Sequence, residues 1–210
     1  MRRIGLTGAI AAGKSRVSRY LAQKGIPVVD ADVLSRAVVA PGSPGLAKIA
    51  QHFGAQTILQ ADGSLNRSAL AGIIFADEGQ RQWLNRTLHP QIAALAQQQL
   101  DAWAKEGYTL AVFDVALLFE AHFVDMVDDA VLVYCEDHQR RKRLMQRDGL
   151  DEQAALARMN SQLSQKTQCA LADIIIDNSG TWAQTQAQID RLLAQWNKEV
   201  GALGDTDNTT

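Results

Sequence analysis

Apolar residues are distributed along this chain in two patterns, short continuous runs and recurrences at helical spacing. Five short apolar runs have the length of a buried strand, and they cover residues 3–7, 26–29, 109–113, 130–134 and 173–176. Between them, apolar residues recur at helical spacing, as at Val17, Tyr20 and Leu21. Strands that alternate with helices are typical of βαβ units. The pattern therefore predicts an α/β fold in which helices flank a five-stranded parallel sheet.

The stretch from residue 33 to residue 107 interrupts this alternation, because it contains no convincing strand pattern. Its apolar spacing instead predicts three helices, over residues 46–53, 67–75 and 79–105. We expect the third helix to be interrupted at His89-Pro90, since proline removes a helical hydrogen bond. The stretch is interpreted as a helical insertion between two strands of the sheet.

Charged, amphipathic segments follow the fourth apolar run. We predict helices over residues 137–147 and 152–165, on either side of Asp148-Gly149, and a closing helix over residues 181–200. Residues 201–210 are small and polar, and we expect them to form a disordered tail.

A phosphate-binding motif joins the first predicted strand to the first helix. Its residues match the pattern G-x-x-x-x-G-K-[ST], and they are Gly8, Ala9, Ile10, Ala11, Ala12, Gly13, Lys14 and Ser15. The backbone N–H groups of such a loop, together with the N-terminus of the following helix, form a cradle for anions. We expect Lys14 to reach the β- and γ-phosphates of ATP and the Ser15 hydroxyl to ligate Mg²⁺. An alanine that needs a positive φ in this loop costs about 1–2 kcal/mol.

Three aspartates lie where strands are predicted to end, and ligands of parallel α/β sheets bind outside that end. Asp30 and Asp32 are two residues apart, so on extended chain their side chains would point to the same side. At least one is predicted to be functional, with Asp32 preferred as the base for the attacking hydroxyl. The alternative is that one of them caps the next helix. Asp114 follows an apolar strand as a Walker B carboxylate does, which would make it a metal ligand rather than a strand-end cap.

Residues 140–147 form a local basic cluster that contains five lysine and arginine side chains. Most of them are interpreted as a solvated helix face. Arg143 and Arg147 are four residues apart and share a helix face. One or both of them are therefore alternatively interpreted as lid arginines that close over the transferred phosphoryl group. A nucleic-acid patch is disfavoured, because no aromatic residues are interleaved for base stacking.

Composition disfavours several other classes of protein. The 210 residues carry a formal net charge of -2, which argues against a dedicated nucleic-acid binder. No apolar stretch approaches the roughly 20 residues of a membrane span, and the N-terminus lacks a signal-peptide pattern. Cys135 and Cys169 have no paired metal-ligand spacing and suggest no disulfide framework. We therefore expect a cytoplasmic enzyme that binds neither nucleic acid nor membrane, as a monomer or a weak homo-oligomer.

The motifs together resemble those of a known family, the dephospho-CoA kinases, which are P-loop kinases of the nucleoside-monophosphate-kinase type. The resemblance runs from about Arg3 to Gly180. Besides the phosphate loop, the matching pieces are Asp30-Ala31-Asp32, Arg36, Leu65-Asn66-Arg67, Leu88-His89-Pro90, residues 114–120, Arg147-Asp148, Gln162 and residues 172–178. The aspartate pair, the His-Pro step and the Leu-Leu-Phe-Glu run, in this order, are far more specific than the phosphate loop. The chain departs from the usual family pattern at Ala9, Ala11, Arg16 and Ala116, where no chemical group that the reaction needs is lost.

The resemblance implies a kinase that uses ATP and Mg²⁺ to phosphorylate the ribose 3′-hydroxyl of dephospho-CoA, the last step of coenzyme A synthesis. It also implies a molecule of three parts. These are a nucleotide-binding core (1–32, 108–137 and 166–200), a helical CoA domain (33–107) and a lid (138–165).

Residue roles follow from the same resemblance. The catalytic residues would be Asp32, as the base, with Lys14 and Arg147. Outside the phosphate loop, Asn178 matches the adenine side of the ATP site. Apart from the resemblance, Arg16, which follows the loop, and Arg143 are also predicted to bind ATP. The acceptor would be bound by Asp30, Asp32, Arg36, Arg67, His89, Leu117 and Leu118. The metal would be held by Ser15 and Asp114.

Three alternatives remain open at this point. A P-loop kinase of the nucleoside or shikimate type would share the phosphate loop, and only the family-specific motifs speak against it. A GTPase-like switch would need Asn-Lys-x-Asp at a strand end, whereas Asn197-Lys198 is followed by Glu199-Val200 in the predicted last helix. A non-catalytic ATP-binding module is disfavoured by the intact Lys14, Ser15 and Asp32.

Overall fold

The predicted parallel sheet is present in the computed structural model, which describes residues 1–204. Its strands are β1 (Arg2–Thr7), β2 (Val28–Asp30), β3 (Leu110–Asp114), β4 (Asp129–Tyr134) and β5 (Ile174–Asp177). Their spatial order is β2-β3-β1-β4-β5, so β1 lies in the centre. Ile4 is in register with Val112 of β3 and with Asp129 of β4. The central position of β1 places the loop that follows it in the middle of the carboxyl edge of the sheet.

Helices connect and cover these strands. They are α1 (Lys14–Gln23), α2 (Ala31–Ala37), α3 (Pro44–Phe53), α4 (Ala55–Ile58), α5 (Arg67–Ala76), α6 (Glu78–Lys105), α7 (Asp137–Asp148), α8 (Glu152–Asn160), α9 (Gln165–Leu171) and α10 (Trp182–Gly204), with a short 3-10 helix at Val124–Met126. None of the helices within residues 1–204 is long and apolar enough to cross a membrane. The cytoplasmic location and the oligomeric state stay predictions.

The core around β1 explains why the strand runs are so apolar. Ile4 and Leu6 of β1 are buried together with side chains of the neighbouring strands and of helices α1 and α10. The main contributors are Val112, Val131, Val133, Ile176, Val17, Leu21, Ile189, Leu193 and Trp196. Burial of each large aliphatic side chain contributes about 1.5–3 kcal/mol. The phosphate loop is thus anchored between two elements, β1 and α1, that are fixed by this core.

The described residues divide into two compact units, residues 1–29 with residues 100–204, and Asp30–Gln99. The second unit contains α2 to α5 and the part of α6 up to Gln99, which together make up most of the predicted insertion. The segment 138–165, predicted to be a lid, belongs to the first unit. The division into core, CoA domain and lid stays a prediction.

The predicted interruption at His89-Pro90 is wrong, because α6 continues through Pro90. A proline inside a helix costs about 3 kcal/mol. After Pro90, α6 buries Ile92, Ala96 and Leu100 along one face. The burial of that apolar face offsets the cost of the missing hydrogen bond, so tertiary packing overrides the local signal.

Two further boundaries differ from the prediction. The helix predicted over residues 152–165 ends at Asn160, and a second helix begins at Gln165, where Ser164 is the N-cap and accepts a hydrogen bond from the Thr167 N–H at 3.1 Å. Serine is a favoured N-cap, so this helix start could have been found in the sequence. The closing helix extends to Gly204, so the first four residues of the predicted tail are helical. Residues 205–210 lie outside the described residues.

Candidate active site

The phosphate loop requires unusual backbone angles at two positions. Gly13 precedes α1 with a φ of 101°, and Ala11 has a φ of 62°. Only glycine adopts such angles without a steric cost. Ala11 is therefore the loop alanine that needs a positive φ, and it carries the expected cost of about 1–2 kcal/mol. Gly8 is needed for a different reason, since a Cβ there would lie 2.9 Å from the Val133 carbonyl oxygen.

Asn178 packs directly against the phosphate loop. Its buried side-chain amide donates to the Ala12 carbonyl at 2.7 Å, and its carbonyl accepts from the Thr185 hydroxyl at 3.0 Å. A Cβ on Gly13 would collide with the same amide nitrogen, which is a second reason for glycine there. The sequence predicted Asn178 at the ATP site, and the structure places it next to the loop as a support of its backbone.

Lys14 and Asp114, two of the predicted site residues, are brought together as an ion pair. The side chains are only 14% and 6% exposed, so both charges are largely removed from water. Asp114 ends β3 and Lys14 begins α1. Ser15 follows with an exposed hydroxyl, and Arg16 stacks its guanidinium on the Trp182 ring at 4.1 Å from the centroid.

The aspartate pair differs from the sequence interpretation. Asp30 is the last residue of β2, but Asp32 already lies in the first turn of α2, so the two are not on the same extended strand. Asp30 is the N-cap of α2, and its Oδ1 accepts from the Asp32 N–H at 2.7 Å. Within residues 1–199, no hydrogen bond or ion pair occupies the carboxylate of Asp32, which is exposed. The argument from side-chain alternation was therefore wrong, whereas its alternative, a helix cap, applies to Asp30.

The two predicted lid arginines have different surroundings. Arg143 donates to the backbone carbonyl of Asn178 at 3.2 Å and lies close to Gly13, so it reaches the phosphate loop. Arg147 is exposed and forms a two-pronged ion pair with Asp148, whose carboxylate also binds Arg158 of α8. The bond to Asp148 raises the pKa of Arg147, and Arg147, followed by Arg158, lowers the pKa of Asp148. The structure thus brings Arg143, and not Arg147, to the loop.

Within the second unit, Arg36 and Arg67 line one cavity of about 450 Å³. Polar groups of Gln60, Ser64 and Asn66 share this cavity. His89 lies half-buried within α6.

Leu117 and Leu118, both predicted near the acceptor, differ in exposure. Leu117 is 43% exposed, but Leu118 is fully buried and packs against β1 at Gly5. Its burial argues against a direct contact between Leu118 and a substrate. Two leucines in sequence give no signal of which one faces the core.

Sequence reasoning missed Arg140, which was taken as part of a solvated face. It is buried, and its Nε donates to the Ile10 carbonyl at 3.0 Å. Gln162, noted only as a matching position, accepts from the Ile10 N–H at 2.7 Å. Nothing in a run of basic residues marks one member as buried, so the sequence held no signal for Arg140.

The fold and the loop geometry define a P-loop kinase. A model of the family described as dephospho-CoA kinase matches residues 2–184. The chain belongs to the dephospho-CoA kinase family.

Individual relatives agree with this assignment. The dephospho-CoA kinase of Shouchella clausii is 46% identical over 193 residues, which cover 92% of this chain and 98% of that protein. The dephospho-CoA kinase of Gloeobacter violaceus is 45% identical over 91% of both chains. Among solved structures, the dephospho-CoA kinase from Campylobacter jejuni superposes with a TM-score of 0.72 at 26% identity, covering 95% of this chain and 99% of that one.

Proposed function

We propose that this protein transfers the γ-phosphoryl group of ATP to the ribose 3′-hydroxyl of dephospho-CoA, giving coenzyme A and ADP. The observation that carries the proposal is the phosphate loop with Lys14 at the start of α1, in a chain that belongs to the dephospho-CoA kinase family. In this reaction a bond forms between the acceptor oxygen and the γ-phosphorus, and the bond from that phosphorus to the β–γ bridging oxygen breaks. The hydroxyl proton leaves with the base, and ADP is the leaving group.

Asp32 is proposed to accept that proton. Its carboxylate is exposed and carries no hydrogen bond or ion pair from residues 1–199, so it is free to bind a hydroxyl donor. Lys14 and Arg143 are proposed to stabilise the negative charge on the phosphoryl oxygens, with Arg147 as the second arginine of the segment. Arg143 has the stronger support, because its guanidinium already lies beside Gly13.

The residues at the loop fit a magnesium ion that is bound together with ATP. Mg²⁺ prefers oxygen ligands and in kinases is held by one or two protein groups plus substrate phosphates. Ser15, an exposed residue in the first turn of α1, offers a hydroxyl, and Asp114 at the end of β3 offers a buried carboxylate of which one oxygen is paired with Lys14. When bound, the ion would neutralise charge on the β- and γ-phosphates. We propose Ser15 and Asp114 as the protein groups that hold it.

The cavity of the second unit is proposed to hold the diphosphate of dephospho-CoA. A diphosphate is doubly charged and planar arginine forks bind phosphate oxygens in pairs, so two arginines on one cavity suit it. Arg36 and Arg67 supply these forks, and both are exposed to an incoming anion. Such remote contacts help to orient the reacting hydroxyl.

Replacing Arg36 or Arg67 by glutamine is expected to raise KM for dephospho-CoA by at least about tenfold, because the loss of a hydrogen bond between charged groups costs about 1.5–3 kcal/mol and tenfold corresponds to about 1.4 kcal/mol. KM for ATP should change little, because the acceptor and not the nucleotide is bound there. Steady-state kinetics with each substrate varied in turn measure both constants. Arg86→Gln is the matched control, since Arg86 is an exposed arginine of the same unit whose Nε donates to the Gln82 carbonyl of its own helix. An unchanged acceptor KM in both variants, or an equal change in the control, would remove the cavity from the proposal.

A further inference from the structure

Two consecutive peptide groups of the phosphate loop, one on each side of the Ile10 Cα, are held by side chains. The Ile10 carbonyl accepts a hydrogen bond from Arg140 Nε at 3.0 Å, and the Ile10 N–H donates to Gln162 Oε1 at 2.7 Å. Both side chains come from the segment after β4, more than 100 residues away along the chain. Arg140 therefore fixes the orientation of the Ile10–Ala11 peptide, and Gln162 fixes that of the Ala9–Ile10 peptide.

The next residue is the strained one. Ala11 follows Ile10 directly and has a φ of 62°, a left-handed conformation that a residue with a Cβ avoids. Strained backbone of this kind persists only where the surrounding structure over-determines it. Rotation of the Ile10–Ala11 peptide is the local route by which Ala11 could relax, and the bond from Arg140 opposes that rotation.

Arg140 is itself firmly placed. Its side chain is only 4% exposed, and its Nη1 donates to Asp137 Oδ1 at 2.8 Å. The same oxygen accepts from Gln165 Nε2 at 2.7 Å, and Gln165 also donates to the backbone carbonyl of Cys135, the residue that follows β4. The Nε and Nη1 groups of Arg140 thus donate at a fixed angle to the Ile10 carbonyl and to the Asp137 carboxylate at the same time. The single ammonium group of a lysine cannot reproduce this geometry.

Burial of a guanidinium has a cost that needs compensation. Burial lowers the pKa of Arg140, against the opposing influence of Asp137. An arginine on a solvated helix face needs no buried partners of this kind. The neighbouring Arg141 is an example, because it is partly exposed and pairs with Glu152 at 2.6 Å.

We propose that Arg140 is a positioning residue for nucleotide binding, which holds the Ile10 carbonyl so that Ala11 keeps its left-handed conformation and the loop N–H groups stay directed at the phosphates of ATP. The inference rests on the proposed function, because it presupposes that ATP occupies this loop. Arg140 acts through the loop backbone and touches no reacting atom.

The test combines Arg140→Gln with relief of the strain at Ala11. Arg140→Gln is expected to raise the dissociation constant for ATP, measured by calorimetry, about tenfold, the loss of one hydrogen bond from a charged donor. KM for ATP should rise in parallel, while kcat at saturating ATP changes by less than about threefold. In the Ala11→Gly background, Arg140→Gln should lower the affinity for ATP only about two- to threefold. Glycine adopts the left-handed conformation without the hydrogen bond from Arg140 to the Ile10 carbonyl.

Two controls separate positioning from a general loss of stability. Arg141→Gln removes an equal charge from the adjacent position of α7 and should leave ATP affinity unchanged. Melting temperatures of all variants establish that binding is measured on folded protein, and Arg140→Lys should not restore wild-type affinity. The inference is overturned if folded Arg140→Gln binds ATP normally, or if its loss of affinity is the same with Ala11 and with Gly at that position. Failure of the wild-type protein to bind ATP would instead remove the proposed function.

Discussion

The Lys14→Ala variant is expected to lose phosphoryl transfer almost completely, with kcat lower by a factor on the order of 10³ or more. The reason is electrostatic, since Lys14 would be the cation at the β- and γ-phosphates, where negative charge is redistributed during transfer. A stopped or coupled assay of ADP release at saturating ATP and dephospho-CoA measures the loss.

The ion pair between Lys14 and Asp114 adds an effect on stability that the sequence did not suggest. Both side chains are largely buried, so removal of the lysine leaves a buried carboxylate without its partner. Breaking a buried pair in this way typically costs about 3–5 kcal/mol, and ATP binding could be lost through unfolding alone. The control is the double variant Lys14→Ala/Asp114→Asn, in which no unpaired charge is left. It should regain most of the melting temperature, whereas its activity is not diagnostic of Lys14, because Asp114 is itself proposed to hold the metal. The kcat of Lys14→Ala is therefore compared with that of the wild type at a temperature at which both proteins are folded. Near-normal kcat in Lys14→Ala would contradict the assignment of this loop.

The second large effect is expected at Asp32. Asp32→Asn keeps the size and polarity of the side chain but cannot accept a proton, so kcat should fall by about 10²–10⁴-fold with little change in ATP affinity. Asp30→Asn is the matched variant. Asparagine keeps an oxygen that can accept the N–H of residue 32, and it is as good an N-cap as aspartate, so this variant should retain most of its activity.

Measuring kcat and ATP binding for both variants in one buffer, with saturating Mg²⁺, distinguishes the possible outcomes. A crippled Asp30→Asn beside a nearly normal Asp32→Asn would reverse the two roles. Equal loss of ATP binding in both would mean that the pair serves the metal, and Asp114 would then be the next candidate for the base.

The sequence predicted those parts of the site that are formed by residues adjacent in the chain. The phosphate loop was recognisable because its glycines, lysine and serine are contiguous and lie between a buried strand and a helix. Asp114 was recognisable for a similar reason, as the polar residue at the end of an apolar strand. The pairing of Lys14 with Asp114 required the strand order, which places β3 beside β1.

Where the prediction failed, packing between distant segments overrode a local rule. The long helix α6 tolerates Pro90 because the face that follows is buried. The position of Asp32 depended on where β2 ends, and a difference of one residue changed it from strand to helix. Arg140 could not be distinguished from its basic neighbours, since its burial follows from the docking of α7 on the phosphate loop and on α9.

The central claim, that dephospho-CoA is the phosphoryl acceptor, is tested most directly by ADP release from the wild-type protein across four acceptors. These are dephospho-CoA, adenosine, AMP and shikimate, each assayed with Mg-ATP over a range of concentrations. We predict that kcat/KM is highest for dephospho-CoA and that adenosine is poorer, because remote contacts to the rest of the acceptor orient its hydroxyl. The product should carry the new phosphate on the ribose 3′-oxygen. A higher kcat/KM for AMP or shikimate, or no ADP release with any of the four, would contradict the proposed function.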